Sequence, residues 1–504
     1  MTKQLFALLA ACMPVVALAQ DQQATPQWRP VYHFTPAKNW TNDPNGLIYL
    51  NGEYHLYYQH NPYENKWGHM SWGHATSKDL LNWKHLPVAI PEIETKDTTT
   101  WIFSGCAVLD SKNTSGFGTG GKAPLVAVYT ADLPKQQRET QCLAYSNDGG
   151  TTFTQYAGNP VIDIQKKDFR DPSVIWMEEQ QQWVMTVAVP AEHKLQFYAS
   201  KNLKEWTLLS EFGDQGDVRK IWECPSLTPL YVDGDPGKKK WLLMISSGNQ
   251  DAATGMQYFT GDFDGKTFTN DNKPEHQQFV DYGRTFYAAI PYNNLPDGRQ
   301  TMLGWLMPFD TPTHPWRGQM SIPRDLFLKS TSEGVRLYQQ PSGVLAEKLA
   351  ALPASARLAM QQTSLRSNEL QLTKGNRFNA NTNWIDAVFT PGTATDFGFK
   401  LTQDKTAKRE TILGYNVSRN ELYVATVEEG KAPVITDKLT VKPVAGKISL
   451  QVLLDKSSLE VFVNGGEKVL TTLLFPSEKA TGLAAFAKDG DVKIETLKAW
   501  DLHK

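Results

Sequence analysis

The stretch SWGHATSKDLLNW, residues 71–83, reads as a short β-type run, a tight polar turn, and an aromatic that opens the next run. Echoes of it stand at 143–153 (LAYSNDGGTTF), at 196–206 (QFYASKNLKEW) and, more weakly, at 258–268 (YFTGDFDGKTF). Alternating runs bounded by Asp, Asn, Gly and Ser are strand–turn–strand units. The closing aromatics Trp83, Phe153, Trp206 and Phe268 lie 70, 53 and 62 residues apart. One four-stranded blade per repeat, with loops of varying length, predicts a β-propeller.

Three acids keep step with this repeat. Asp43 lies 40 residues before Trp83, Asp171 lies 35 before Trp206, and Glu223 lies 45 before Phe268. Each therefore opens a blade, on or near its innermost strand. Innermost strands line the central channel, so the three acids are expected to converge at one end of it. Trp101-Ile102-Phe103-Ser104-Gly105-Cys106 opens a further blade before Phe153, and a last one is expected from about Tyr282 to Leu328, making five. Residues 339–359, with Pro341, Gly343 and Pro353, read as a linker. Alternation resumes in 370–372, 387–389, 397–401 and 459–463, and Asn464-Gly465 is a hairpin turn. The expected fold is all-β: a five-bladed β-propeller over 28–338, then a C-terminal antiparallel β-sandwich over 360–504.

The acids sit in WTNDPNG (40–46), FRDP (169–172) and WECP (222–225). Surface carboxylates normally stand among Lys, Ser and other acids. A carboxyl against Trp or Phe is partly desolvated, which raises its pKa toward a working value. Three such acids point to acid/base and nucleophilic chemistry on a neutral polar substrate, with glycoside hydrolysis the leading candidate.

Composition narrows the classes further. Lys and Arg number 51 against 53 Asp and Glu, and there is no basic tract of five, which argues against nucleic acid as a partner. The 15 Trp, 18 Tyr and 22 Phe suit a large β core or sugar-stacking platforms. Residues 1–19, with Lys3, an apolar run from Leu5 and Ala17-Leu18-Ala19, read as a signal peptide, predicting a periplasmic or extracellular protein. Lipid attachment at Cys12 is the lesser alternative. No later run is apolar for long enough to span a membrane. Cys106, Cys142 and Cys224 form no CxxC and read as buried, small apolar residues. His69 and His74, five apart, read as structural. No metal or organic cofactor is expected, and no oligomeric state is assigned.

The three motifs, in this order and at these separations, resemble those of glycoside hydrolase family 32. This is the β-fructofuranosidase family of invertases, inulinases and levanases. The stretches YYQHNP (57–62), WGHMSWGH (67–74), Pro315-Trp316-Arg317 and residues 457–476 add to the likeness, which spans nearly the whole chain from Tyr32. It implies a propeller followed by a sandwich, in agreement with the repeat. It also implies Asp43 as nucleophile, Glu223 as acid/base and Asp171 as transition-state stabiliser. Glu223 would have to hold a proton near neutral pH, with Trp222 and Pro225 as its apolar surround. Arg170 would hold Asp171 ionised and donate to the sugar. Asn42, Gln59, Phe103 and Ser104 would surround the sugar, with Trp67 and Trp316 as stacking or wall residues and Tyr287 beside Glu223. Cys106 and Thr41 depart from the family pattern, where Ser and Met are common.

The leading expectation is an exported, retaining, exo-acting β-fructosidase that releases fructose from levan, inulin and sucrose. Endo-levanase or endo-inulinase action and fructosyl transfer are alternatives on the same fold. An inverting arabinanase-like enzyme is disfavoured by the NDPNG run, and a non-catalytic fructan-binding protein by the presence of all three acids.

Overall fold

A computed structural model describes residues 24–247, 255–308, 311–373 and 381–502. The expected signal peptide, with Cys12, lies outside the described residues. From Asn39 to Pro341 the described chain forms five sheets of four or five strands, antiparallel except where Trp316–Arg317 pairs parallel to Asn39–Leu50. Their first strands are Asn39–Leu50, Thr99–Leu109, Arg170–Met177, Glu223–Tyr231 and Phe286–Pro291. These strands contact one another in chain order, and the last contacts the first, so the sheets close into a ring. The repeat aromatics open or directly precede the strands Trp83–Ile90, Thr154–Gln155, Thr207–Gly213 and Phe268–Asn270. Both faces of each sheet are covered by neighbouring sheets. Val126, Val128 and Leu143, for example, pack against Val174, Met185 and Val187 of the next sheet.

One irregularity repeats around the ring. In every sheet the pairing of the first two strands slips near the start of the first strand. The slips fall between Thr41 and Pro44, Ile102 and Gly105, Arg170 and Ser173, Glu223 and Ser226, and Tyr287 and Ile290. A β-bulge inserts an extra residue and re-aims the side chains beside it. Pro44, Pro172 and Pro225 stand within or at the edge of these bulges, where a missing N–H disturbs the ladder least. Asp171, Cys224 and Ala288 occupy the left-handed region, with φ of 66°, 46° and 54°. Such non-glycine conformations cost free energy and persist only where surrounding structure enforces them.

The remaining strands build two six-stranded sheets that face each other. Phe389, Phe397, Phe399, Leu413, Val452 and Val461 fill the space between them. One sheet, containing Thr382–Pro391, Ile448–Asp455 and Ser458–Val463, also covers the ring of sheets. Trp384, Leu453 and Phe462 meet Tyr32, Leu81 and Ile322 in that seam. A buried ionic cluster lies in the same seam. His33 bridges Asp455 at 2.8 Å and Glu460 at 2.9 Å, while Arg324 bonds Glu460 at 2.5 Å and Asp281 at 2.9 Å. The segment read as a linker is more ordered than expected. A strand runs to Pro341, and the helix Gly343–Ala351 follows. Leu345 and Leu349 stand four apart on that helix and anchor it in the seam. Among the described residues no helix is long and apolar enough to cross a membrane.

Candidate active site

The five bulges face one mouth of the ring, around a cavity of about 500 Å³. Asp43, Asp171 and Glu223 line it, with Asn42, Gln59, Trp67, Phe103, Ser104, Arg170 and Tyr287. Asp43 meets Asp171 and Glu223, 128 and 180 residues further along the chain, because each stands at the same point of its own sheet.

Asp43 is held at both oxygens. Ser104 Oγ donates to Oδ2 at 2.5 Å, and Asn42 Nδ2 donates to Oδ1 at 3.0 Å. Asn42 is oriented in turn by the Trp40 indole N–H at 2.8 Å. Burial raises the Asp43 pKa, and the Glu223 charge adds to this, while the Ser104 and Asn42 hydrogen bonds pull it down. Asp171 is fixed through its backbone, whose N–H donates to Thr130 Oγ1 at 2.9 Å. Its Oδ2 accepts from the Cys224 backbone N–H at 2.9 Å. Burial, followed by the charges of Glu223 and Asp43, pushes the Asp171 carboxyl well above the ordinary range.

Glu223 is gripped from two sides. Arg170 Nη1 donates to Oε1 at 2.9 Å, and the Tyr287 hydroxyl donates to Oε2 at 2.5 Å. Arg170 makes its hydrogen bonds to Glu139, Asp168 and Glu223, and its charge still draws the Asp171 carboxyl down against burial. One expectation is corrected. Trp222 gives Glu223 no apolar wall, because its side chain is fully buried against Phe212 and Phe259 and its N–H donates to the Asp217 carbonyl. Pro225 lines a separate cavity in the channel. Trp222, next to Glu223, turns the other way by strand alternation, and Pro225, two residues on, is turned away by the bulge between Glu223 and Ser226.

Trp316 also lies elsewhere. It is buried outside the cavity lining, with the Arg29 guanidinium 4.0 Å from its ring centre. The wall position belongs to Trp305, which packs edge-on to Trp40 and Tyr287 at 6.0 and 6.3 Å. Its buried indole N–H has no hydrogen-bond partner among the described residues. Opposite stands Trp67, half exposed and edge-on to Phe103 at 6.1 Å.

Sequence reasoning missed Trp305, Glu139, Asp132 and Asp168. Trp305 sits in an ordinary apolar strand, and Glu139 follows a charged turn, so neither carries a local signal. Glu139 is pushed up to about 7 by burial, against the pull of Arg170, and burial pushes Asp132 to about 6.

Cys224 is buried, as expected, and its Sγ lies 3.6 Å from Asp43 Oδ2 and 3.5 Å from Asp171 Oδ2. Burial and the adjoining carboxylates raise the thiol well above its usual range, so it stays protonated as a donor. Asp43, Asp171 and Cys224 have ligand atoms close enough to hold a cation, as do His69, Glu92 and Glu94. In the second group His69 Nδ1 is already 3.0 Å from Glu92. His74 stacks on Tyr57 at 4.2 Å, and burial pushes it down to about 3.

Three convergent carboxyls in a pocket rimmed by indole rings, with neutral hydrogen-bonding groups between them, make the site of a carboxylate-dependent glycosidase. Comparison with known proteins gives the family. Residues 33–341 match the N-terminal domain of glycosyl hydrolases family 32, and residues 353–501 match its C-terminal domain. A levanase of Bacillus subtilis is 44% identical, over 99% of this chain and 74% of its own length. An extracellular exo-inulinase of Aspergillus ficuum is 36% identical, over 93% of this chain and 94% of its own. The crystal structure of exo-inulinase from Aspergillus awamori superposes with a TM-score of 0.84 at 34% identity, covering 94% of this chain and 98% of that one. The chain belongs to glycoside hydrolase family 32.

Proposed function

We propose that the protein is an exported, retaining, exo-acting β-fructosidase that releases fructose from the ends of fructans and from sucrose. The five sheets are read as the five blades of a propeller, with the sandwich as a brace. The observation that carries the catalytic reading is the convergence of three buried or half-buried carboxyls in unlike settings. Asp43, held by neutral donors, acts as the nucleophile on the anomeric carbon. Glu223, between Arg170 and Tyr287, protonates the leaving oxygen and then activates water. Asp171, on the pocket floor, accepts from ring hydroxyls and steadies the oxocarbenium-like transition state. A retaining mechanism asks for about 5 to 5.5 Å between the Asp43 and Glu223 carboxyls.

Exo action is favoured by the shape of the pocket. All five sheets contribute to its wall, and Ser104 and Asp171, which line both cavities, stand between it and the channel cavity below. A blind pocket takes a chain end, and an open cleft would take the middle of a chain. Relatives named levanase and exo-inulinase support a fructan substrate. The extracellular naming of the exo-inulinases supports export. The test is the early product profile on levan, inulin and sucrose. Fructose alone is expected, and the rate ratio identifies the preferred linkage. Early oligosaccharides would overturn exo action.

A further inference from the structure

One sheet of the sandwich covers the ring; the other turns its outer face to solvent. This outer sheet comprises Glu369–Gln371, Asp396–Asp404, Arg409–Asn416, Glu421–Glu428, Val434–Thr440 and Gly482–Lys488. Along one of its rows, directly paired residues read Phe486, Gly398, Gly414 and Tyr423. Two aromatics therefore flank two glycines on adjacent strands. The Tyr423 ring lies flat across Gly414, since a Cβ added at Gly414 would run into its Cζ and Oη. Its hydroxyl is tethered to Asp396 Oδ1 at 3.4 Å. Over these buried glycines, Tyr423 and Phe486 line a trough of about 460 Å³, within the range of roughly 300–1,000 Å³ usual for small-ligand sites.

The polar groups of the trough are held and balanced in charge. Lys400 sits between Glu369 at 2.5 Å and Glu410 at 2.9 Å. Asp396 accepts from Asn416 at 3.0 Å, and Arg419 pairs with Glu421 at 3.2 Å. Fixed donors and acceptors of both signs around a flat aromatic face suit a neutral polyol: hydroxyls bridge the charged groups while C–H faces lie on the ring. A strongly ionic ligand would call for an excess of one sign, which the trough lacks.

We propose that this trough is a second carbohydrate-binding site, which holds a length of fructan chain outside the catalytic pocket. The inference rests on the reading of the protein as a fructan hydrolase. Two contacts on one polymer raise the effective concentration of chain ends at the pocket, without any change in the chemistry there.

The test uses Tyr423→Ala, Tyr423→Phe and Arg419→Ala, each with its melting curve. Binding is read by affinity electrophoresis in levan and inulin gels, in an Asp43→Ala background so that the polymer survives. Retardation is expected to fall in Tyr423→Ala and Arg419→Ala and to persist in Tyr423→Phe. In the active protein KM for polymer is expected to rise about three- to tenfold, with sucrose kinetics unchanged. Unaltered retardation and polymer KM in the folded alanine variants would overturn the site. If Tyr423→Ala does not fold, Arg419→Ala decides alone. Failure of the wild type to hydrolyse sucrose or fructan would instead strike at the proposed activity, and the gels would still report on the trough.

Discussion

Ser104 shows how the pocket tunes its acids one at a time. Its hydroxyl donates to Asp43 and so favours the ionised form of a carboxyl that burial pushes the other way. Removing that bond raises the Asp43 pKa further, so a higher pH is needed to ionise the nucleophile. The acid limb of the kcat/KM profile is therefore expected to move to higher pH in Ser104→Ala, with a larger loss at pH 4 than at pH 7. An unmoved limb would mean that another group governs it. Glu223→Gln keeps the shape and removes the proton, so kcat is expected to fall about 10²–10⁴-fold, checked by initial rates on sucrose. Much of this scale was legible in the sequence. The motifs named Asp43, Asp171, Glu223 and most of their neighbours, because aromatic and Pro-rich surroundings of an acid are themselves local. Trp305 and Glu139 were not legible, because each reaches the pocket only through its place in a sheet. The opposite error at Trp316 has the same source: a tryptophan beside a motif carries no mark of which way its ring turns.

The repeated element is the bulge at the start of each first strand. Alternating runs in the sequence predicted the strands, and the aromatics predicted where the fourth strands begin. The bulges were marked only by Pro44, Pro172 and Pro225, and the sheets opened by Thr99 and Phe286 carry no such sign. Gly105 makes the geometry of one bulge testable. A Cβ there would clash with the Val128 carbonyl and lie 2.7 Å from Tyr129 Cα, and the Gly105 N–H donates to Asn45 at 3.1 Å. Gly105→Ala is expected to lower stability by about 1–3 kcal/mol. It should also displace Ser104 and cost about 10- to 100-fold in kcat/KM. Denaturant melts and kinetics on the same sample check both; full activity in a destabilised protein would show that the bulge does not position Ser104.

Across the whole molecule, the seam between ring and sandwich depends on buried ionised groups. No sequence pattern linked His33 to Asp455 and Glu460, more than 400 residues away, since the partners meet only after both parts have folded. Asp455 and Glu460 raise His33 to about 9 despite the opposing effect of burial, which is the largest single influence on it. Stability from this histidine is therefore fully present below pH 6.5 and lost as pH rises through about 9. Glu460, drawn down to about 2 by Arg324 and His33 against its burial, contributes stability above pH 4.5 that is lost as pH falls through about 2. The contribution of these two groups to the melting temperature is expected to be full between pH 4.5 and 6.5 and to decline on either side. His33→Gln should lower it at pH 6 and flatten the alkaline decline; an unchanged alkaline slope would contradict the assignment.

The central claim is that Asp43 and Glu223 work as a retaining pair, and the configuration of the first product tests it most directly. Fructose released from sucrose can be followed by NMR within seconds of mixing, before mutarotation. The account predicts β-fructofuranose as the first-formed anomer. Initial release of the α-anomer would mean direct attack by water and would remove Asp43 from the role of nucleophile.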